Sequence, residues 1–430
     1  MPNSFEVTIE KLVYGGDGLA HHEGDTVFVP YVLPGELVVV SSAERRRKVV
    51  RGNLESVATP ASDRVAPPCP RFGVCGGCHY QHIPYEQQLR YKSEILRETL
   101  SRIGRVSWSG DIAVHQSPPL AYRNRAQWAV RMTGTPARPS IGYFQQGSSA
   151  LVPTDVCPIS SPRIASTLAL LSKAFAEGIL PTSIRAIEAF ADAADRTMLL
   201  NVVVEKKHAS PAGMADKIKQ VVPDVSSLLF HEEEKGPIEL VGPGHISYEV
   251  NGVYYRVGHL SFFQINRFLL PHLVHEVASE AKGDLALDLF AGVGLFSIPL
   301  AAHFKRVIAV EGNVAAARDL ETNLKAVPAA RARHADVESF LGRWREKPDL
   351  VILDPPRAGV PQPALKALRT LGPAAITYLS CDPATLARDL AVLLGDAPEQ
   401  PKYKINNITL YDIFPQTYHI EALVKLQRLA

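Results

Sequence analysis

From about residue 284 the chain alternates apolar runs with stretches of helical periodicity: LALDLF, a glycine-rich turn, FSIPLAAHF, VIAVEG, AAARDLETNLKAV, DLVILD, ALKALRTL, AITYLSC and ATLARDLAVLL. Strands separated by helical segments of this length predict a doubly wound parallel sheet, an α/β fold whose ligands bind at the carboxyl ends of the strands. The last two runs, KINNITLYDIF and HIEALVKLQR, have no long helix between them, which predicts an antiparallel pair closing one edge.

A chain of 430 residues with 46% hydrophobic content is long enough for two or three domains. Residues 5–56 read as short alternating strands broken by glycines, the pattern of a small antiparallel barrel over 1–57. VATPASDRVAPP, at 57–68, reads as a linker. YEQQLRYKSEILRETLSRI, at 85–103, repeats apolar residues at helical spacing and predicts an amphipathic helix, which the reading allows to pack on the catalytic domain. Residues 58–255 form a central domain of mixed strands and helices, and 256–430 the α/β domain. There is no repeat of solenoid length. The N-terminus lacks the pattern of a signal peptide, and no apolar stretch reaches the ~18 residues of a membrane span, so a cytoplasmic protein with no membrane partner is expected, with monomer as the default. The net charge of +2 announces no nucleic-acid partner. Any grip on phosphate is local, and Arg45-Arg46-Arg47-Lys48 with Arg51 is the densest basic run; a solvated turn explains it equally well.

Asp288-Leu-Phe-Ala-Gly292-Val-Gly294 follows the first strand of the α/β domain, and the glycines let backbone approach a ligand. The next strand ends in Glu311, where an acid accepts hydrogen bonds from ribose hydroxyls. Gly-x-Gly without a third glycine, the closing hairpin and Asp354-Pro355-Pro356-Arg357 after the fourth strand favour S-adenosylmethionine over a dinucleotide, giving a Rossmann-like class I methyltransferase domain; plain helix–strand packing is the bland alternative. The following strand ends in Ser380-Cys381-Asp382-Pro383, which sets a cysteine at the ligand-binding edge where free N–H groups and the helix dipole favour a thiolate. Elsewhere a cysteine in a strand is more often inert. Glu421 and His419 both suit a proton-abstracting role near that edge, and Asp354 is a further polar candidate.

The five cysteines stand at 69, 75, 78, 157 and 381. The crowding in Cys69-Pro-Arg-Phe-Gly-Val-Cys75-Gly-Gly-Cys78 favours a metal or cluster site over packing, with zinc and an iron–sulfur cluster evenly matched on spacing alone.

These residues resemble the RNA uracil-C5 methyltransferases, in particular the iron–sulfur branch that includes bacterial 23S ribosomal RNA enzymes, over nearly the whole chain. GGDGLAHHEGDTVFVPYVLPGELV resembles the TRAM domain, a small OB-like RNA-binding barrel. The resemblance implies that Cys69, Cys75, Cys78 and Cys157 hold a 4Fe-4S cluster in the central α+β domain. It implies cofactor contacts from Gln264 (in Ser261-Phe-Phe-Gln264-Ile-Asn266), Phe290, Leu295, Glu311, Asp336 and Asp354, with Cys381 as nucleophile and Glu421 as base. The implied activity is 5-methyluridine formation: uracil C5 is a poor nucleophile, and a thiolate adding at C6 activates it. The chain departs from the family at Asp382, where Asn is usual, and at Ala291, often Cys; a carboxylate beside Cys381 raises its pKa if the two are close. The substrate is then RNA, ribosomal RNA preferred and transfer RNA the alternative. Two further readings stand beside it: methylation of an exocyclic amino group using Asp354-Pro355-Pro356, and a non-catalytic RNA-binding assembly factor.

Overall fold

The alternation from residue 284 builds an eight-stranded sheet in a computed structural model that describes residues 4–205, 211–233, 235–278, 281–395 and 402–429. The strands lie in the order Ala330–His334, Phe304–Glu311, Gly283–Leu289, Leu350–Leu353, Ala375–Ser380, Glu421–Arg428, Tyr403–Tyr411 and Ala113–His115. The first five are parallel, and Glu421–Arg428 runs antiparallel to both neighbours. Strand order reverses between Gly283–Leu289 and Leu350–Leu353, which opens a crevice at their carboxyl ends. The expected hairpin is present but does not close the sheet. Ala113–His115 pairs in parallel beyond it, giving the edge backbone of Thr409–Tyr411 a partner.

FSIPLAAHF gives only the short helix Ser297–Leu300, because the glycine turn consumes the residues before it. Val314–Leu324 starts where Asn313 accepts from the amides of Ala315 and Ala316. The amphipathic helix spans Tyr85–Gly104 and buries Ile95, Leu96 and Leu100 in one core with Leu386, Ala387 and Leu390 of the helix Pro383–Leu394. The close approach requires Gly104, since a Cβ there would lie 2.5 Å from the Ala387 carbonyl oxygen.

The N-terminal strands Ser4–Thr8, Lys11–Leu12, Asp17–His22, Asp25–Pro30, Leu37–Arg46 and Val49–Thr59 form one six-stranded sheet around a small core of Val7, Ile9, Val27, Val29, Val38 and Val40. The basic run is the hairpin turn between Leu37–Arg46 and Val49–Thr59, and Arg45 and Arg46 pair with Asp25 and Glu44. Leu12 and Leu33 belong instead to the core of the eight-stranded sheet.

A seven-stranded sheet from Arg125–Thr133 to Gly236–Val241, with the helices Pro162–Ala176 and Pro211–Val221, has its own core. The hairpin His245–Val250 and Val253–Gly258 is separate from it. Its Ile246, Tyr248, Tyr255 and Val257 share a core with Leu273 and Leu320 of the α/β domain, so a boundary at 255 falls inside a strand whose apolar face belongs to that domain.

Candidate active site

The penultimate residue of the strand Gly283–Leu289 is the fully buried Asp288, which accepts from the Ser297 hydroxyl through Oδ2 while its Oδ1 is left without a protein partner. The turn that follows is left-handed at Phe290 (φ 64°), Gly292 (φ 56°) and Gly294 (φ 93°). A Cβ on Gly292 would meet nothing within 4 Å, so the backbone faces open space there. Glu311, ending the adjacent strand, accepts from the amides of Gly292 at 2.8 Å and Asn313 at 2.6 Å, which fixes its carboxylate at the mouth of the turn. Across the switch point Gln264 Nε2 reaches Asp354 Oδ2 at 3.5 Å. Burial, then the neighbouring Asp288, raises Asp354 to about 7; Asp288 is raised to about 7 by burial, with Glu311 adding to the rise. Carboxylates that repel one another in a buried crevice favour a cationic ligand. S-adenosylmethionine carries a sulfonium and an ammonium, and the residues present fit it.

The remaining expected contacts are less directed. Leu295 is buried, with its carbonyl accepting from the Tyr255 hydroxyl at 3.0 Å. Asp336 caps the helix Val337–Arg343 by accepting from Ser339 N at 2.8 Å, beside the backbone of Gly312 at the end of the Glu311 strand.

At the same edge, Ser380 pairs with Ala422, and the register carried one residue further sets Cys381 opposite Glu421. Burial pushes the Cys381 thiol up to about 12, reinforced by Glu421, Asp354 and Asp382 and opposed by Arg357. Glu421 is 3% exposed, and burial followed by Asp354 holds it well above the usual carboxylate range, again with Arg357 opposing. The expectation that helix N–H groups favour a thiolate is not met. Asp382 takes them for itself, accepting from Ala384 N at 3.0 Å and Thr385 N at 2.8 Å. His419 is lowered to about 3 by burial and by Arg357, so its imidazole is neutral. Arg357 carries this local balance without having been singled out in the sequence, and its Nη2 lies 3.2 Å from His419 Nδ1. The signal was available in its place after Asp354-Pro355-Pro356.

Cys69, Cys75, Cys78 and Cys157 line one cavity of 270 Å³ together with Arg71 and Arg123. A ready-made single-ion site is not what they form: among the described residues no three or more His, Cys, Asp or Glu side chains gather closely enough to hold one metal ion. The four thiols are unpaired with one another, and burial raises Cys78 to about 12, with Cys157 adding to the rise.

An open sheet of this order, with a glycine turn at its switch point, an anchored acid after the second strand and a carboxylate-lined crevice, defines an S-adenosylmethionine-dependent methyltransferase domain. The chain belongs to the tRNA (uracil-5-)-methyltransferase family, which matches residues 84–429, and residues 4–54 match the TRAM domain. It is 31% identical to a 23S rRNA (uracil(1939)-C(5))-methyltransferase RlmD of Alkalilimnicola ehrlichii, over 99% of this chain and 97% of that one. The Shewanella amazonensis protein of the same name is 30% identical over 96% and 94%. Among solved structures, the tRNA (uracil-54, C5)-methyltransferase of Pyrococcus abyssi in complex with S-adenosyl-L-homocysteine superposes with a TM-score of 0.75 at 26% identity, covering 98% of this chain and all of that one. The protein is therefore an S-adenosylmethionine-dependent enzyme that methylates uracil C5 in RNA.

Proposed function

We propose that the enzyme forms 5-methyluridine in 23S ribosomal RNA, in the cytoplasm and as a monomer, through a covalent adduct on Cys381. The observation that carries this reading is that Glu421 acts on the Cys381 thiol just beyond the Ser380–Ala422 strand pair, at the edge where the cofactor crevice opens. S-adenosylmethionine, when bound, supplies a methyl group on a sulfonium; Gln264, Phe290, Leu295, Glu311, Asp336 and Asp354 are the residues that would hold it. Cys381 sulfur bonds to uracil C6, and the electron pair of the C5–C6 double bond passes into an enolate, so that C5 takes the methyl. Glu421 removes the C5 proton, the double bond re-forms and the C6–sulfur bond breaks, returning the thiolate. Arg357 favours the charged forms of both Cys381 and Glu421.

The cysteine quartet belongs to the same reading as a 4Fe-4S site. What supports it is that Cys69, Cys75, Cys78 and Cys157 line one shared cavity, and four cysteine thiolates are the usual ligands of such a cluster. The methyl chemistry moves no electrons between centres, so the cluster's role is structural or in holding RNA. The Pyrococcus likeness keeps transfer RNA as the second reading.

The deciding experiment is transfer of labelled methyl to unmodified 23S ribosomal and transfer RNA, with nucleoside mass spectrometry and Cys381→Ala in parallel. The reading expects 5-methyluridine in the ribosomal RNA and none from the variant. Label confined to transfer RNA would exchange the substrate, and an active Cys381→Ala would remove the covalent step.

A further inference from the structure

The N-terminal barrel reaches the catalytic edge through the turn after Lys11–Leu12. Between its strands Lys11–Leu12 and Asp17–His22 the chain turns through Val13, Tyr14, Gly15 and Gly16, closed by Gly16 N donating to the Val13 carbonyl at 3.2 Å. The turn lies close against the catalytic loop: at Gly16 (φ 96°) a Cβ would sit 3.2 Å from His79 and 3.3 Å from Tyr418. Tyr14 stands edge-on to Tyr418 with ring centres 5.6 Å apart, and Tyr418 in turn contacts His419 at 4.3 Å. The Tyr14 hydroxyl donates to Asp382 Oδ2 at 3.1 Å, while Asp382 Oδ1 caps the helix Pro383–Leu394. One side chain from the barrel therefore holds the residue that follows Cys381.

We infer that Tyr14 is a positioning residue for uracil methylation: its hydroxyl fixes Asp382, and with it the backbone that presents Cys381, which makes the barrel a part of the catalytic centre as well as an RNA-binding module. The inference rests on the reading of Cys381 as the nucleophile. Both oxygens of Asp382 are engaged, one by the helix amides and one by the phenol, so the carboxylate has a single orientation. The phenol's hydrogen bond also disperses negative charge next to the thiol. The groups facing Cys381 are Glu421 from the closing strand, Asp354 and Arg357 from the loop after Leu350–Leu353, and Asp382 itself; Tyr14, which bonds Asp382, is flanked in turn by Tyr418 and Arg357. Without the phenol, Asp382 acts more strongly on the thiol, and the acid limb of the addition step moves to higher pH.

The test uses 23S ribosomal RNA transcribed with 5-fluorouridine together with S-adenosylmethionine: once C5 has taken the methyl group, its fluorine cannot leave as a cation, so the Cys381 adduct persists. Adduct formation is followed in a single turnover across neutral to alkaline pH for the full-length parent, Tyr14→Phe, Asp382→Asn and the double variant, with cofactor affinity, RNA half-saturation and melting midpoint measured alongside. Tyr14→Phe keeps the ring on Tyr418, so fold, cofactor affinity and RNA half-saturation should match the parent. Its adduct rate should fall about tenfold, the loss of one charge-assisted hydrogen bond, with its acid limb displaced to higher pH. Asp382→Asn retains the helix cap and carries no charge, so adding Tyr14→Phe to it should move the limb no further. A Tyr14→Phe enzyme with the parent's rate and profile overturns the inference, as does equal slowing without a pH shift in both backgrounds, the mark of packing alone. A parent that forms no adduct, or an adduct that survives Cys381→Ala, brings down the nucleophile reading itself, an outcome distinct from a parent-like Tyr14→Phe.

Discussion

A thiol pushed up to about 12 gives little thiolate at neutral pH, and burial raises the Glu421 carboxyl as well. The free thiol thus holds a proton that must leave before or during addition, and Arg357 is the cation that favours the charged forms of both groups. Replacing Glu421 by Gln keeps the shape and removes the base. Addition and methyl transfer then proceed, the C5 proton stays, and a denaturation-stable RNA–protein complex should accumulate on a gel while turnover falls by about 10²–10⁴-fold. Turnover at the parent rate would move the proton-abstracting role to His419 or Asp354. A second residue-scale outcome concerns Asp288, whose folded pKa of about 7 lies above the model-compound value of 3.8. A carboxyl raised on folding binds its proton more tightly in the native state, so its favourable contribution is complete below 3.8 and is lost as pH rises to about 7. Asp288→Asn, which can still accept from Ser297, should gain stability over the parent through that window and hold the gain above it, up to about 4 kcal/mol. Urea unfolding at the two ends of the window measures it, and a pH-independent difference would contradict the argument.

The helix Tyr85–Gly104 does more than cover the sheet. Its Lys92, fully buried, donates to Asp412 Oδ1 at 2.6 Å and to the Phe414 carbonyl at 3.0 Å. Its Gln88 donates to Tyr80 O, Ile83 O and Gln416 Oε1 and accepts from Gln416 N, while Gln416 O receives the amides of His79 and Tyr80. The loop from Asp412 to His419, which delivers Glu421, is therefore pinned from the helix and from the segment just after Cys78. Lys92→Met strands the buried Asp412 carboxylate and should cost about 3–5 kcal/mol. Lys92→Met with Asp412→Leu should cost less than the single change; urea unfolding of the parent and the two variants decides, and equal losses would mean that packing rather than charge dominates.

At the scale of the whole molecule, the central region meets the segment strapped to the catalytic loop at the cysteine cavity. The cysteine cavity takes Cys157, Tyr143 and Arg123 from the central region and Cys69, Cys75 and Cys78 from the segment strapped to the catalytic loop. A cluster there would lock these parts to each other. Cys75→Ala should lose iron and sulfide together with several degrees of melting midpoint, read by metal analysis and calorimetry. An iron-free variant with the parent's stability and activity would refute that role.

Periodicity was sufficient for the helix expected at 85–103 and found as Tyr85–Gly104, and for the alternation that became the parallel strands. Local signals also put the glycine turn, Glu311 and Cys381 at strand ends, because spacing along one strand or helix is a property of neighbouring residues. What lay outside that reach depended on residues remote in the chain. The three-residue strand Ala113–His115 has no pattern of its own and exists because Thr409–Tyr411 offers a free edge. The hairpin at 245–258 joined the α/β domain because the apolar surface that covers it is there. Asp382 became a helix cap held by a tyrosine from the far end of the chain, and Arg357 a counterweight to three carboxylates. The order of elements and the chemistry-bearing residue types were determined locally by the sequence; protonation and orientation were decided by the tertiary structure, because burial and electrostatic interaction depend on distance through space.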